Sequence, residues 1–265
     1  MLKFIKSVLK HTNENLVLVC SLYLFSVVST VCFAFSQVAT NASSQMVILY
    51  CLTMVAFFAG FFNQIKCAVT KEEGKFKFLE GIGDYYLPML GIGVLSLVIY
   101  VLFAELGTMI SARVLGGTHI LVAAVNKIMA VMQSAQVDLT SLDMQALHVV
   151  SLYMLILWCI FCVVSFVLLY WVPVLYFEKE RNIFVLLLKS VQFLFNKFWK
   201  SLFLYIGFLF PIILLSIVSV LLSSIKIFAV LSNLFVYYIS VAFLFAVFLL
   251  YAEKLDEKKE GAEES

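Results

Sequence analysis

Charge is what this sequence has least of. Asp, Glu, Lys and Arg make up 13% of its 265 residues, about half the roughly 25% usual in a soluble domain. Apolar residues reach 64%. So many cannot be hidden in a water-soluble core of this size with enough polar surface left to face water. A water-soluble fold is thereby excluded for most of the chain, and its solvent is lipid. Proline is scarce at three residues, which leaves room for long helices. The apolar runs are continuous rather than alternating, which excludes a spanning barrel. Net charge is +2, and the basic residues are taken up at membrane flanks, so no basic face remains for nucleic acid.

The groups that carry chemistry are as sparse. The six apolar runs described below contain no Asp, Glu, Lys or Arg. Ion-coupled carriers keep ionisable groups inside the bundle despite their cost, so ion coupling is not expected. Cys20, Cys32, Cys51, Cys67, Cys159 and Cys162 lie in or at the edges of these runs. A thiol there acts as a small hydrophobe, and no disulfide framework is implied. Cys159 and Cys162 have the spacing of a redox pair, but a charged thiolate is costly in apolar surroundings and the pair reads as packing. His11, His119 and His148 stand far apart with no carboxylate or thiol at ligand spacing, so no metal site is expected. No Gly-rich phosphate loop or Gly-x-Ser-x-Gly elbow implies a cofactor. Gly81-Ile82-Gly83-Asp84 resembles the Gly-x-Gly-Asp motif of intramembrane aspartyl proteases. That chemistry needs a second carboxylate sharing a proton with the first. None lies in the runs, so Asp84 is read as the N-cap of the third apolar helix.

What is abundant is long apolar sequence. Runs of about 16–38, 46–65, 85–104, 148–177, 201–224 and 227–252 each approach or exceed the roughly 20 residues needed to cross about 30 Å of hydrocarbon. The predicted fold is all-α: a polytopic transmembrane helical bundle with six spanning helices in one domain, 1–252, and a charged cytoplasmic tail, 253–265, expected to be disordered. The first run is longer than the roughly 7–15 residues of a signal-peptide core and is expected to be retained. The fourth is longer than a crossing needs and is expected to tilt or project. Thr140, with Asp143 three residues on, has the spacing of a helix N-terminus and is expected to cap the fourth helix.

Orientation follows from the basic residues. With the N-terminus inside, only Arg113, Lys127 and Lys226 of the 18 Lys and Arg fall outside. Such a bias is expected to place both ends in the cytoplasm.

Polar residues gather where helices would meet the membrane surface. In 1–11, Lys3, Lys6, Ser7 and Lys10 share one helical face and Leu2, Phe4, Ile5, Val8 and Leu9 the other, the pattern of a short amphipathic surface helix. After Arg181, the residues Lys189, Gln192, Asn196 and Lys200 recur at helical spacing among Phe184, Leu187, Leu188, Phe195 and Trp199. This predicts an interfacial helix with lysines snorkelling outward. Lys189, Gln192, Asn196, Lys200 and Trp199 are therefore the candidates for interfacial or lipid contact. On the far side, Gly116-Gly117 precedes a second amphipathic segment, 118–134. There His119, Asn126 and Gln133, with Lys127 beside them, face Ile120, Leu121, Val125, Ile128, Met129 and Met132; a membrane-lying or bundle-capping helix is expected. Asn41-Ala42-Ser43 is a glycosylation sequon in an outside loop.

Two inside elbows share a plan. KEEGKFKFLEG (71–81) leads to Pro88 and Ser96; KERNIFVLLLKS (179–190) leads to Pro211 and Ser219 at the same spacing. They read as a weak parallel duplication. The whole plan, centred on YWVPVLYFEKERNIFVLLLKSVQFLFNKFWKSL, resembles six-helix bacterial membrane families. One is the membrane domain attached to some glycerophosphodiester phosphodiesterases, and the resemblance implies a bacterial plasma (inner) membrane. The hydrolytic domain of those proteins has no counterpart in these residues, so no catalytic residue carries over. The expectation is a non-enzymatic integral membrane protein with an envelope-organising or lipid-handling role, whose partners are the lipid bilayer and other membrane proteins. The alternatives are a transporter's membrane subunit docked to a separate ATPase subunit and, third, an intramembrane enzyme. An alkaline phosphatase reporter inserted within 134–142 should be active and one fused after Ser265 inactive; the reverse pattern would overturn the orientation.

Overall fold

The computed structural model describes residues 2–38, 43–72, 77–133, 143–178, 180–221 and 226–263. Among them the backbone forms helices and no strand. In chain order these are α1 (Leu2–Glu14), α2 (Leu16–Val38), α3 (Ser43–Thr70), α4 (Lys77–Val114), α5 (Thr118–Gln133), α6 (Met144–Val167), α7 (Trp171–Phe177), α8 (Ile183–Asn196), α9 (Phe198–Leu221) and α10 (Lys226–Glu263). Five stretches are long and apolar enough to cross a membrane: Gln45–Thr70, Lys77–Val114, Met144–Phe177, Phe198–Ser219 and Val230–Leu255. A sixth appears when Lys3–Glu14 and Leu16–Cys32, bent by 68°, count as one broken span. The chain is an all-α, polytopic, multi-pass membrane protein. The sequon residues Asn41 and Ala42, Thr140 and most of the first elbow (73–76) lie outside the described residues.

Local chemistry explains where the helices stop. Between α1 and α2, Thr12 Oγ1 bonds to the Val8 carbonyl at 2.9 Å and Asn15 Nδ2 to the His11 carbonyl at 2.8 Å. Side chains that capture carbonyls in this way bend a helix. α4 ends in two glycines with positive φ, Gly116 at 87° and Gly117 at 134°. The Gly117 N–H reaches back to the Ala112 carbonyl at 2.7 Å, closing the last turn.

The fourth run forms one stretch long enough to span, Met144–Phe177, with turns at 168–170 between α6 and α7. Pro173 has no N–H to give the Leu169 carbonyl, which loosens the helix there. Three expectations need correction. The α6 cap is Asp143 itself, whose Oδ1 accepts the Gln145 and Ala146 N–H groups at 3.0 and 3.3 Å. Asp84 is not a cap, because α4 already begins at Lys77 and carries Asp84 in its interior. The tail is helical to Glu263. Its Glu, Lys, Leu and Ala residues extend a helix already nucleated, which costs little per residue.

The chain divides into two compact units, Met1–Gly93 with Leu168–Ser265, and Val94–Val167; the sequence reading draws no boundary there. In the first unit α10 is the axis, packed by α1, α2, α3, α7 and α9. Burial is uneven along it. Val241, Ala242, Phe245, Ala246, Val247, Phe248, Leu250 and Tyr251 are buried, as are Ala59, Phe61 and Ile65 of α3, while Phe228, Val230, Leu231 and Phe235 of α10 and Met46 to Leu49 of α3 are exposed. One end of this unit is therefore a dry protein core and the other presents apolar side chains outward, as helices facing hydrocarbon do. In the second unit α5 packs on α6. The Lys127 ammonium meets the Asp143 carboxylate at 2.8 Å, and Tyr100 and Ser165 share a 2.8 Å hydrogen bond.

Close approach of α3 and α4 depends on two glycines. A Cβ added at Gly81 would lie 2.5 Å from Asn63 Cβ and 2.9 Å from the Ala59 carbonyl oxygen; one at Gly60 would lie 2.8 Å from the Phe78 carbonyl oxygen. Asn63 Nδ2 also donates to the Lys77 carbonyl at 2.7 Å, tying the start of α4 to α3. Gly81→Val is expected to lower stability by about 1–3 kcal/mol, the usual cost of overpacking. Thermal unfolding of the detergent-solubilised protein measures it, and an unchanged midpoint would contradict this packing.

Candidate functional site

The end of the first unit that is rich in lysine holds its polar chemistry. It is organised by α7, whose Trp171, Pro173, Val174, Leu175 and Tyr176 are all buried. Tyr170, just before it, donates to Ser201 Oγ at 2.9 Å, and Tyr176 donates to the Ala59 carbonyl at 2.8 Å. These two hydroxyls tie α7 to α9 and α3.

The strap after α7 is held at every polar position described. Glu178 accepts Lys189 Nζ at 2.9 Å on one carboxylate oxygen and the Tyr251 hydroxyl at 2.9 Å on the other. Partial burial works against its charge, but the hydrogen bonds from Lys189 and Tyr251, with the Lys189 and Lys254 charges nearby, outweigh it and hold the carboxyl below the usual glutamate range. Glu180 accepts the Arg181 and Asn182 N–H groups, each at 2.9 Å. Asn182 caps α8 by accepting the Phe184 N–H at 3.1 Å. Arg181 lies 4.9 Å over the Tyr85 ring and donates to the Asp84 carbonyl at 3.2 Å. The partner of Arg181 is thus the Asp84 main chain rather than its carboxylate.

α8 has three faces. Leu186, Ser190, Phe193 and Leu194 are buried against the protein. Phe184, Leu188 and Phe195 form an exposed apolar ridge, 66%, 69% and 69% accessible, far too open for core residues. Lys189, Gln192 and Asn196 form the third, polar face. A helix with one side on protein, one apolar and one polar suits the boundary between lipid and water. The predicted stripe is nevertheless divided. The helix breaks at Lys197, so Trp199 and Lys200 sit in the first turn of α9. The break is stabilised by Ser201, whose N–H and Oγ both reach the Lys197 carbonyl, at 2.9 and 3.0 Å. Lys189 does not snorkel outward but turns to Glu178. Trp199 is exposed.

Lys200 has a different setting from the rest of the stripe. With Lys3, Phe4 and Ser7 of α1 and Leu204, Leu250 and Glu253 it lines a cavity of about 390 Å³. That falls in the roughly 300–1,000 Å³ range of small-molecule sites. Leu204 and Leu250 are buried and form the floor; Lys3, Ser7, Lys200 and Glu253 are exposed at the rim. Among the described residues, none of the three rim charges makes an ion pair. Sequence reasoning identified Lys200 and the polar face of α1 but missed Glu253 and Glu178. Each is the first acidic residue after a long apolar run, which is the signal that marks them.

Two other concavities have less to offer a polar ligand. Phe25, Val28, Met46, Val47 and Tyr50 help line a groove of about 190 Å³ between α2 and α3 that no charged residue faces. His119, Lys127, Asp143 and Gln145 help line one of about 260 Å³ between α5 and α6, but its two charges are spent on each other. Among the described residues, no three His, Cys, Asp or Glu side chains gather as metal ligands would. No protein-family model matches the chain, and no curated protein or solved structure matches it.

The Glu178 latch has a pH signature. Its carboxyl titrates lower in the folded state, so its stabilisation is complete above the ordinary glutamate value and is lost as pH falls through the folded one. Glu178→Gln should cost about 1–3 kcal/mol at neutral pH, the range for hydrogen bonds to a charged group. It should also flatten the loss of thermal stability below about pH 4.5. Melting curves of both proteins across pH 3–7 test this, and parallel curves would show that the latch contributes nothing.

Proposed function

We propose that this is a non-enzymatic protein of the bacterial inner membrane that handles lipid at its lysine-rich end, with both termini cytoplasmic. The observation that carries the reading is the cavity between α1, α9 and α10. It combines unpaired lysines at its rim with an apolar floor, the pairing of chemistries that a lipid headgroup and the top of its chains present. The exposed ridge of α8 with Trp199 supports it, since both suit a surface resting among acyl chains and headgroups. The sparse charge outside the inner segments supports the orientation.

The test is lipid carried through purification. The protein extracted with native bilayer should retain phospholipid after detergent exchange. Lys3→Ala with Lys200→Ala should weaken that retention by roughly thirtyfold, at about 1 kcal/mol per lysine near a membrane surface. A wild-type protein that holds no phospholipid, or a double variant that holds it equally well, would overturn the proposal.

A further inference from the structure

The rim of the α1–α9–α10 cavity carries both signs of charge, and this bears on which headgroup it takes. We infer that the cavity is a site for a phosphoethanolamine headgroup, a phosphate ester joined to a primary ammonium. The inference rests on the lipid reading above and narrows it.

Six residues carry the argument. Lys3 and Lys200 offer ammonium donors to phosphate oxygens, the charge-assisted bonds that bind phosphate most strongly. Glu253 shares the same rim. A headgroup that is only anionic brings a phosphate to the rim of that carboxylate and no cation for it, and like charges close together disfavour binding. A primary ammonium resolves it, because its three N–H donors can reach a carboxylate. Quaternary ammonium has no N–H to give and is recognised instead by a cage of several aromatic rings. Among the described residues, Phe4 is the one ring that lines the cavity. The charges are also available: among the described residues, none of Lys3, Lys200 and Glu253 is bound in an ion pair. Phe4 and the buried Leu204 and Leu250 give the site an apolar side. A free headgroup has no use for that side and a glycerolipid does, so the ligand is the lipid rather than its soluble fragment.

The experiment uses the full chain in detergent. It is titrated separately with short-chain phosphatidylethanolamine, phosphatidylglycerol and phosphatidylcholine, with glycerophosphoethanolamine, and with inorganic phosphate. Binding is read by native mass spectrometry and by thermal shift. Phosphatidylethanolamine should bind at least about fivefold more tightly than either other lipid. Glu253→Gln should remove that preference while leaving phosphatidylglycerol binding equal or stronger. Lys3→Gln with Lys200→Gln should weaken all three lipids. Because preference is a ratio within one variant, a small loss of stability does not obscure it, and the exposed Glu253 is not a core residue. Equal binding of the three lipids, tighter phosphatidylglycerol, or a preference that survives Glu253→Gln would overturn the headgroup assignment while leaving lipid handling in place. Glycerophosphoethanolamine or phosphate binding as tightly as the lipid would overturn the lipid as the source. No binding of any lipid would remove both this assignment and the reading it rests on.

Discussion

A single missing N–H, that of Pro173, governs the arrangement of the lysine-rich end. It leaves the Leu169 carbonyl without its helical donor, and the apolar run 148–177 is interrupted by turns there. The turns are at 168–170, and α7 emerges as a short segment with nearly every side chain buried. That segment carries Tyr170 and Tyr176 to their partners on α9 and α3. It also delivers Glu178, at its C-terminus, to Lys189 of α8 and Tyr251 of α10.

The charges at this end serve two distinct purposes. Those of Glu178, Lys189, Glu180 and Arg181 are consumed in holding the strap and α8 in place. Burying part of a carboxylate has a cost, which its two donors offset. Those of Lys3, Lys200 and Glu253 are not consumed, and they surround a cavity. The contrast separates a structural cluster from a binding one on physical grounds: in the first each charge already has hydrogen-bond partners, and in the second, among the described residues, none is held in an ion pair.

Much of this was legible in the sequence. The six charge-free runs required helices in lipid, and helices do occupy 118–133 and 183–196, although the stripe read as running on to Lys200 stops at Asn196. What was hidden depended on contacts between distant segments. Nothing near Lys197 marks a helix end, since neither Gly nor Pro is there; the break is stabilised by Ser201, itself the partner of Tyr170. Asp84 looked like a cap because Gly81 and Gly83 resemble a turn, yet Gly81 is needed for the approach of α3 to α4 and lies within a helix. Thr140 and Asp143 had the spacing of a capping box, but Asp143 makes the cap. The cavity joins residues near both termini with Lys200, a combination that no local pattern reveals.

The uneven burial along α10 has a consequence for how this unit comes apart. Side chains such as Phe228 and Phe235, or Met46 and Val47 on α3, are exposed in the folded protein. In a bilayer they meet acyl chains before and after helix separation, so separation changes their surroundings little. The free energy that holds the helices together is therefore concentrated among residues such as Phe61, Phe193, Phe245 and Tyr251. Fluctuations begin where that cohesion is weakest. Cohesion between these helices thus comes from one end of the unit, and at the other the leaflet is the neighbour that their side chains meet.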